Sequence, residues 1–409
     1  MNNMKINKIT AGIDWEIPLV DKFSGKSAGK DKIAKLVEKA LIIAPELEIG
    51  EDIDLVEIRV GMATSYSELR DKTERAFQLT EKLATELKAI LVPMGYREAD
   101  HNPAGGHVHF GSIESFEQAA IIYNRIMPFT PAFVALASSS PSLDGNFKSY
   151  RVKLDACGCS QPMTLIDPEL SYGHWGSDIC IKYPDKATVE LRSNDSQPDP
   201  QTMCQIATLY IGLCAALLDS DTVPFEPNLI DYGVNRLNAC INGMQATFRL
   251  KGKMIGISEI VREYILPMAA KGLRNWGLPD NGFSQIESMC EKRISPADWI
   301  SELTSGIRDP WMFIGEMTRI YSRGSSFGKW LETAETRQEK AFTEPEEILL
   351  GSLGVNTPLC FAFQSLPWPR THTERLADKL VEKGLIRKHL GKKNEILLDR
   401  IDLLEKYPD

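Results

Sequence analysis

Apolar and polar positions alternate with a two-residue period in four short stretches: Ile13-Asp14-Trp15-Glu16-Ile17, Val56-Glu57-Ile58-Arg59-Val60, His107-Val108-His109-Phe110 and Val189-Glu190-Leu191-Arg192. Side chains at i and i+2 of a β-strand share a face. Each stretch is therefore expected to be a strand with one bulky apolar face and one ionisable face. Further strands are expected to frame them: 8–19, 53–61, 105–112, and a hairpin of 178–183 and 187–193 around Pro184-Asp185-Lys186. Between them the apolar period lengthens to 3.6, which predicts helices at about 32–44, 66–92, 115–127 and 201–219. The second opens on a Ser65–Glu68 capping box and meets Pro93 and Gly95 at its end. Residues 225–335 read as helical, with a basic cluster at Arg249-Leu250-Lys251-Gly252-Lys253.

Strands alternating with helices suggest a parallel βαβ protein, but parallel strands buried on both faces would be continuously apolar. These strands alternate, so one face is open or lines a site. The expected fold is α+β, a mostly antiparallel or mixed sheet with helices on its apolar face. We divide the chain into a sheet domain at 1–225, a helical continuation at 226–340 and an appendage at 341–409. In the appendage, a helix at 376–390, a basic turn at 391–394 and an extended 395–399 resemble the end of a winged-helix module. From Arg370 to Asp409 there are ten Lys/Arg against eight Asp/Glu. So small an excess favours packing or dimerisation over nucleic-acid reading.

Composition narrows the picture little: 409 residues, 43% hydrophobic and 25% charged, are ordinary for a globular chain. A net charge of −9 makes nucleic acid an unfavoured partner. No uninterrupted apolar run reaches the roughly 18 residues of a membrane span, and the N-terminus lacks a secretory apolar core, so a cytoplasmic location is expected. Of eight cysteines only Cys157 and Cys159 are close in sequence, with no second pair to complete a zinc site. They are read as reduced and structural, and Cys204 and Cys214 as small core residues.

The ionisable face carries the candidate chemistry. Asp14 and Glu16 point one way from one strand, Glu57 can join from another, and Glu51 lies upstream in the expected register. Gly105-Gly106 before the histidines permits close backbone approach. Glu190 and Arg192 on one half-buried face would be costly without a cation and an anion as partners. Converging carboxylates suit oxygen-loving cations, and guanidinium groups suit phosphates.

These motifs carry a family resemblance. Gly12-Ile-Asp-Trp-Glu16 resembles the first-strand acidic motif of carboxylate–amine ligases. Val56-Glu57-Ile58-Arg59 with Ser67-Glu68-Leu69-Arg70 resembles the second acidic strand and helix of the type 2 glutamate–cysteine ligase family. Gly106-His-Val-His-Phe-Gly111 is similar to that family's histidine strand and to that of glutamine synthetases. Ser149-Tyr150-Arg151 and Val189-Glu-Leu-Arg-Ser-Asn-Asp195 are similar to its later motifs. The order holds across about residues 8–220 and more weakly to about 300. The resemblance implies a glutamine-synthetase-type curved sheet whose concave face binds ATP and Mg²⁺, with Mn²⁺ as an alternative ion. It implies Asp14, Glu16, Glu57, His107 and Glu190 as metal ligands, with Glu51 as the additional upstream acid. It also implies His109 and Arg192 as phosphate contacts, Arg151 on the substrate carboxylate or phosphate, and Arg249 at the nucleotide. Asp14 departs from the family's glutamate and is one methylene shorter.

The activity implied is ATP-dependent amide formation through an acyl phosphate, joining a small carboxylate (glutamate or a similar amino acid) to an amine. A homo-oligomer is compatible with the sequence. Two rival readings are a metal-dependent hydrolase built on His107 and His109, and a non-catalytic ligand sensor with a nucleic-acid-binding tail.

Overall fold

The computed structural model describes residues 8–154, 160, 177–219, 229–341, 343–353, 357–359, 370–390 and 395–400. Its main sheet is built from β1 (Thr10–Asp21), β2 (Ile49–Asp52), β3 (Leu55–Ala63) and β4 (Ala89–Leu91). After a small two-stranded ribbon, β5 (Tyr96–Arg97) with β6 (Asn102–Pro103), come β7 (Gly106–Gly111), β8 (Ile179–Lys182) and β9 (Thr188–Leu191). The order is β2-β3-β1-β7-β9-β8, and β4 pairs with the far end of β1. Every pairing between these strands is antiparallel. This is the mixed helix and antiparallel-sheet class that the alternation predicts.

The apolar face gathers Ile13, Trp15, Ile17, Val56, Ile58, Val108, Phe110, Val189 and Leu191, all fully buried. Helices Tyr66–Glu86 and Pro200–Leu218 cover it. Trp15 stacks on Phe77 of the first helix with ring centroids 5.1 Å apart, and its indole N–H donates to Ser196 Oγ at 2.9 Å. Burying each large aliphatic side chain of this layer stabilises the fold by about 1.5–3 kcal/mol. Phe116–Ala137 and Pro200–Leu218 are long and apolar enough to cross a membrane by composition, yet 78% and 94% of their apolar windows are buried inside the protein. Their apolarity is spent on the core, and Cys204 and Cys214 are buried in the second, as expected.

Four local expectations are corrected. The strand expected at 53–61 is the second arm of a hairpin: Ile53 takes φ +53° and the chain turns there between β2 and β3. The helix expected to run to 92 stops at Glu86, Lys88 takes φ +56°, and Ala89–Leu91 joins the sheet. Burying Ala89 and Leu91 against β1 outweighs another helical turn. The basic cluster at 249–253 forms a hairpin, Thr247–Leu250 with Lys253–Gly256, whose turn residues Lys251 and Gly252 both have positive φ. In the tail, helix Arg370–Glu382 ends before Gly384 (φ +69°), and Ile386–Leu390, expected as helix, pairs with Ile396–Arg400. Thr357–Pro358 adds a third strand there. The expected turn 391–394, and Cys157 with Cys159, lie outside the described residues.

Candidate active site

Register fixes which ionisable groups meet. Glu16 faces Glu57 across β1 and β3; Asp14 faces Arg59 on one side and His107 on the other. Gly12 faces His109, which in turn faces Glu190 on β9. Directly opposed residues in an antiparallel pair lie on one face, so four strands deliver one continuous charged floor. The face is polar only there; its reverse is the core described above.

Side chains on the floor converge on Glu190, which is fully buried. Its Oε1 lies 3.0 Å from Arg192 Nη1, 3.5 Å from His109 Nε2 and 3.6 Å from His107 Nδ1, and its Oε2 lies 2.8 Å from Lys182 Nζ. His109 Nε2 is also 3.0 Å from Asp14 Oδ2, and its Nδ1 is 3.1 Å from Thr188 Oγ1. Despite being one methylene short of the family's glutamate, Asp14 therefore reaches the cluster directly. Lys186 Nζ approaches Asp14 at 3.6 Å. Glu16 Oε1 sits 3.7 Å from His107 Nδ1, and its Oε2 accepts a 2.6 Å hydrogen bond from the Gly105 N–H. Arg151, itself buried, brings Nη2 to within 3.3 Å of His107 Nε2. Arg59 pairs with Glu57.

The electrostatics divide the acids into two groups. Burial alone would raise Glu190, but His109, His107, Arg192 and Lys182 together hold its carboxyl at about 2. Burial likewise pushes Asp14 up, and the hydrogen bond and charge of His109, with Lys186 and His107, override it and hold the carboxyl well below the usual range. Glu16 goes the other way. Burial pushes it up to about 7, Arg151 and the Gly105 N–H counter in part, and Asp52 and Glu57 add to the rise. Glu57 is also raised, by burial and then by Asp14, although Arg59 opposes this. Burial drives the His107 imidazole well below its ordinary value, so it stays neutral.

Glu16 and Glu57, raised by burial and by neighbouring acids, are short of positive charge, and a divalent cation on the floor would supply it. Asp14, His109 and Glu190 each offer a ligand atom within 4.8 Å of the others, the one such group among the described residues. Two carboxylates and one imidazole, with Glu16 and Glu57 adjacent, favour a hard ion over a thiolate-loving one. Here the geometry groups His109, rather than His107, with Asp14 and Glu190.

The sequence-derived candidates fall into three sets. Asp14, Glu16, Glu57, His107, His109, Arg151, Glu190 and Arg192 share the floor. Glu51 does not: in the β2–β3 hairpin it opposes the core residue Val56, while Gly50 opposes Glu57. Asp52, two residues on, stands on the Glu57 side and is close enough to raise both Glu16 and Glu57. Reading 51–57 as one strand conceals this, because a hairpin reverses which position shares a face. Arg249 lies on the separate hairpin, where it bonds Glu344 at 2.6 Å, and its backbone N–H and carbonyl are held by the side-chain amide of Asn235. Lys182 escaped the sequence reading altogether. Its only sequence signal is its place in the Cys180/Lys182 alternation of β8, opposite Glu190 and Thr188.

The raised Glu16 carboxyl makes a pH prediction. Its proton is held to about pH 7 in the folded protein against 4.5 ordinarily. Below 4.5 both states are protonated; between the two values the folded state binds more proton, so stability falls as pH rises. The loss from this group approaches about 3 kcal/mol at pH 7 and is then constant. Metal-free protein is expected to melt progressively lower from pH 5 to 7, and Glu16→Gln to flatten that slope. An unchanged slope in the variant would refute the assignment.

No protein-family model matches the chain. In sequence it is similar to "Putative glutamate–cysteine ligase 2-2" of Legionella pneumophila strain Corby, 29% identical over 174 residues, which are 37% of this chain and 46% of that one. It thus spans about half the length of the first curated relatives it matches. A longer match runs to "Putative glutamate–cysteine ligase 2" of Bordetella avium, 22% identical over 386 residues, 82% of this chain and 94% of that one. In fold it is similar to the crystal structure of a glutamate–cysteine ligase from Francisella tularensis in complex with AMP. That similarity has a TM-score of 0.51 at 12% identity and covers 93% of this chain and 95% of the other. The chain is thus similar in sequence to proteins named putative glutamate–cysteine ligase 2 and similar in fold to a glutamate–cysteine ligase.

Proposed function

We propose that this protein is an ATP-dependent carboxylate–amine ligase acting through an acyl phosphate. The observation that carries the reading is the convergence of Asp14, His109 and Glu190 beside Arg192 and Arg151 on one sheet face. The same face continues into a pocket of about 400 Å³ lined by Thr10, Gly12, Arg59, His109, Lys186 and Thr188 among others. That volume suits a small molecule, and we assign it to the nucleotide. Within this reading the sheet is of the curved glutamine-synthetase type, with segments 1–225, 226–340 and a C-terminal appendage at 341–409.

Mg²⁺, or Mn²⁺, would be held by Asp14, Glu190 and His109, with Glu16 and Glu57 beside them and His107 turned to Arg151 instead, and when bound it neutralises phosphate charge. His109, with Nε2 at Asp14 and Nδ1 at Thr188, serves the ion rather than the phosphates; Arg192 contacts the phosphates and steadies the phosphoryl group in flight. Arg151 binds the carboxylate that attacks the γ-phosphorus. ADP departs, the amine nitrogen then attacks the acyl carbon, and inorganic phosphate leaves. Exclusion of water by the buried floor protects the acyl phosphate from hydrolysis. The substrates we propose are glutamate or a similar amino acid and an amine. One imidazole among hard oxygen donors weighs against the hydrolase reading.

The test is ADP release measured across paired carboxylates and amines with Mg²⁺. Release is expected to need both partners. Hydrolysis of an amide without ATP, or release with neither partner, would overturn the proposal.

A further inference from the structure

Asp195 is a buried acid whose carboxylate takes its hydrogen bonds from three serines rather than from the groups assigned above. It follows Arg192 by three residues, in a segment outside any regular strand, and makes an isolated bridge to Gly105. Through that bridge the Gly106 N–H donates to the Asn194 carbonyl at 3.0 Å, and the Ser196 N–H to the Ala104 carbonyl at 3.0 Å. The Asp195 carboxylate therefore sits at the level of the glycine whose missing Cβ leaves room for His107 and Arg151.

The carboxylate is fully engaged. Oδ2 accepts from the Ser139 N–H at 2.9 Å and from Ser140 Oγ at 2.7 Å, and Oδ1 accepts from Ser149 Oγ at 3.0 Å. All three serines are buried. Ser140 Oγ in turn accepts from the Arg151 N–H at 3.2 Å. Ser149 immediately precedes the short helix Tyr150–Lys153 that carries Arg151. The far end of Arg151 is clamped from the same segment: Nη1 donates to the carbonyls of Arg192 at 3.2 Å and Asn194 at 3.1 Å. Both ends of one arginine are thus fixed by the four-residue segment 192–195, with the Asp195 carboxylate as the charged anchor. Burial pushes the Asp195 carboxyl up, and the charge of Arg151 leads the groups that oppose the rise.

We infer that Asp195 is a positioning residue, which sets the backbone and charge of Arg151 so that its guanidinium bears on His107. An arginine nitrogen can only donate, so the 3.3 Å contact makes His107 Nε2 the acceptor and leaves the ring proton on Nδ1, facing Glu16 and Glu190. The role in turnover rests on the ligase reading; the placement of Arg151 does not.

The experiment is side-chain ¹⁵N NMR of His107 in the full-length protein, with Arg151→Ala as the reference for an unfixed ring. Asp195→Asn keeps the shape and lets Ser149 accept in place of donate, but removes the charge. Ser140→Ala cuts the link to the Arg151 backbone while sparing the other two hydrogen bonds. Both variants are expected to shift His107 from one tautomer toward the mixture seen in Arg151→Ala, and Asp195→Asn in the Arg151→Ala background is expected to add nothing. If the protein releases ADP with L-glutamate as the carboxylate, Asp195→Asn should raise the glutamate KM about tenfold and leave the ATP KM unchanged. A wild-type His107 spectrum in folded Asp195→Asn and Ser140→Ala overturns the inference. If Asp195→Asn fails to fold, Ser140→Ala alone decides, in the same sense. Absence of ADP release with a shifted spectrum would sink the ligase reading and leave the positioning role standing.

Discussion

Glu190→Gln is expected to lower turnover by about 1000-fold, the largest catalytic loss of any single isosteric change here. Glutamine keeps the shape but removes the one charge that Lys182, Arg192, His107 and His109 all face. Two effects combine. A hard divalent ion loses a carboxylate from the Asp14, His109 and Glu190 group, which weakens its binding by about 10- to 100-fold. Lys182, nearly buried, exchanges the Glu190 carboxylate for a neutral amide, a weaker acceptor, which lowers stability. ADP-release assays, Mg²⁺ titration and urea unfolding read these separately. Wild-type ADP release by folded Glu190→Gln would remove the floor from the reaction altogether.

Gly105→Ala is expected to have the next largest effect although it adds a single methyl group. A Cβ at 105 would lie 2.2 Å from His107 Nε2 and 2.7 Å from Arg151 Nη2, both atoms of buried side chains. One or both must move by about an ångström, which costs about 1–3 kcal/mol as overpacking. Misplacement of that size is enough to cost about 100-fold in rate. Gly12→Ala is the matched control. Its Cβ would meet His109 Cβ and the Val60 carbonyl at 3.5 Å, ordinary contact, so stability should stay within about 1 kcal/mol of wild type. Equal melting temperatures for the two variants would show that the glycine is not required for approach.

These two positions differ in how far they could be read from the chain. Glu190 is legible because Val189-Glu190-Leu191-Arg192 declares its own face, whatever its neighbours do. Gly105 is legible only as permission for close approach; what approaches it, Arg151, lies 46 residues away in sequence. The same limit explains Glu51 and Asp52. Alternation assigns faces within a strand, and Ile53 with φ +53° ends the strand that the reading assumed. Lys182 is missed, and Asp195 enters only as the end of the Val189–Asp195 motif without a role, for a related reason: their partners are contributed by other segments.

What the sequence determined alone was local: the two-residue alternation that makes each ionisable strand half-buried, the capped helices that cover the apolar side, and the residue types suited to hard cations and phosphates. Backbone geometry enforces those features over a few residues, so a few residues suffice to read them. Only the tertiary structure decided that β1 lies between β3 and β7, that His109 joins Asp14 and Glu190 while His107 faces Arg151, and that Arg249 belongs to another hairpin. Strand order and register are set by how the whole apolar layer packs, and a shift of one residue in register would turn every one of these side chains to the opposite face.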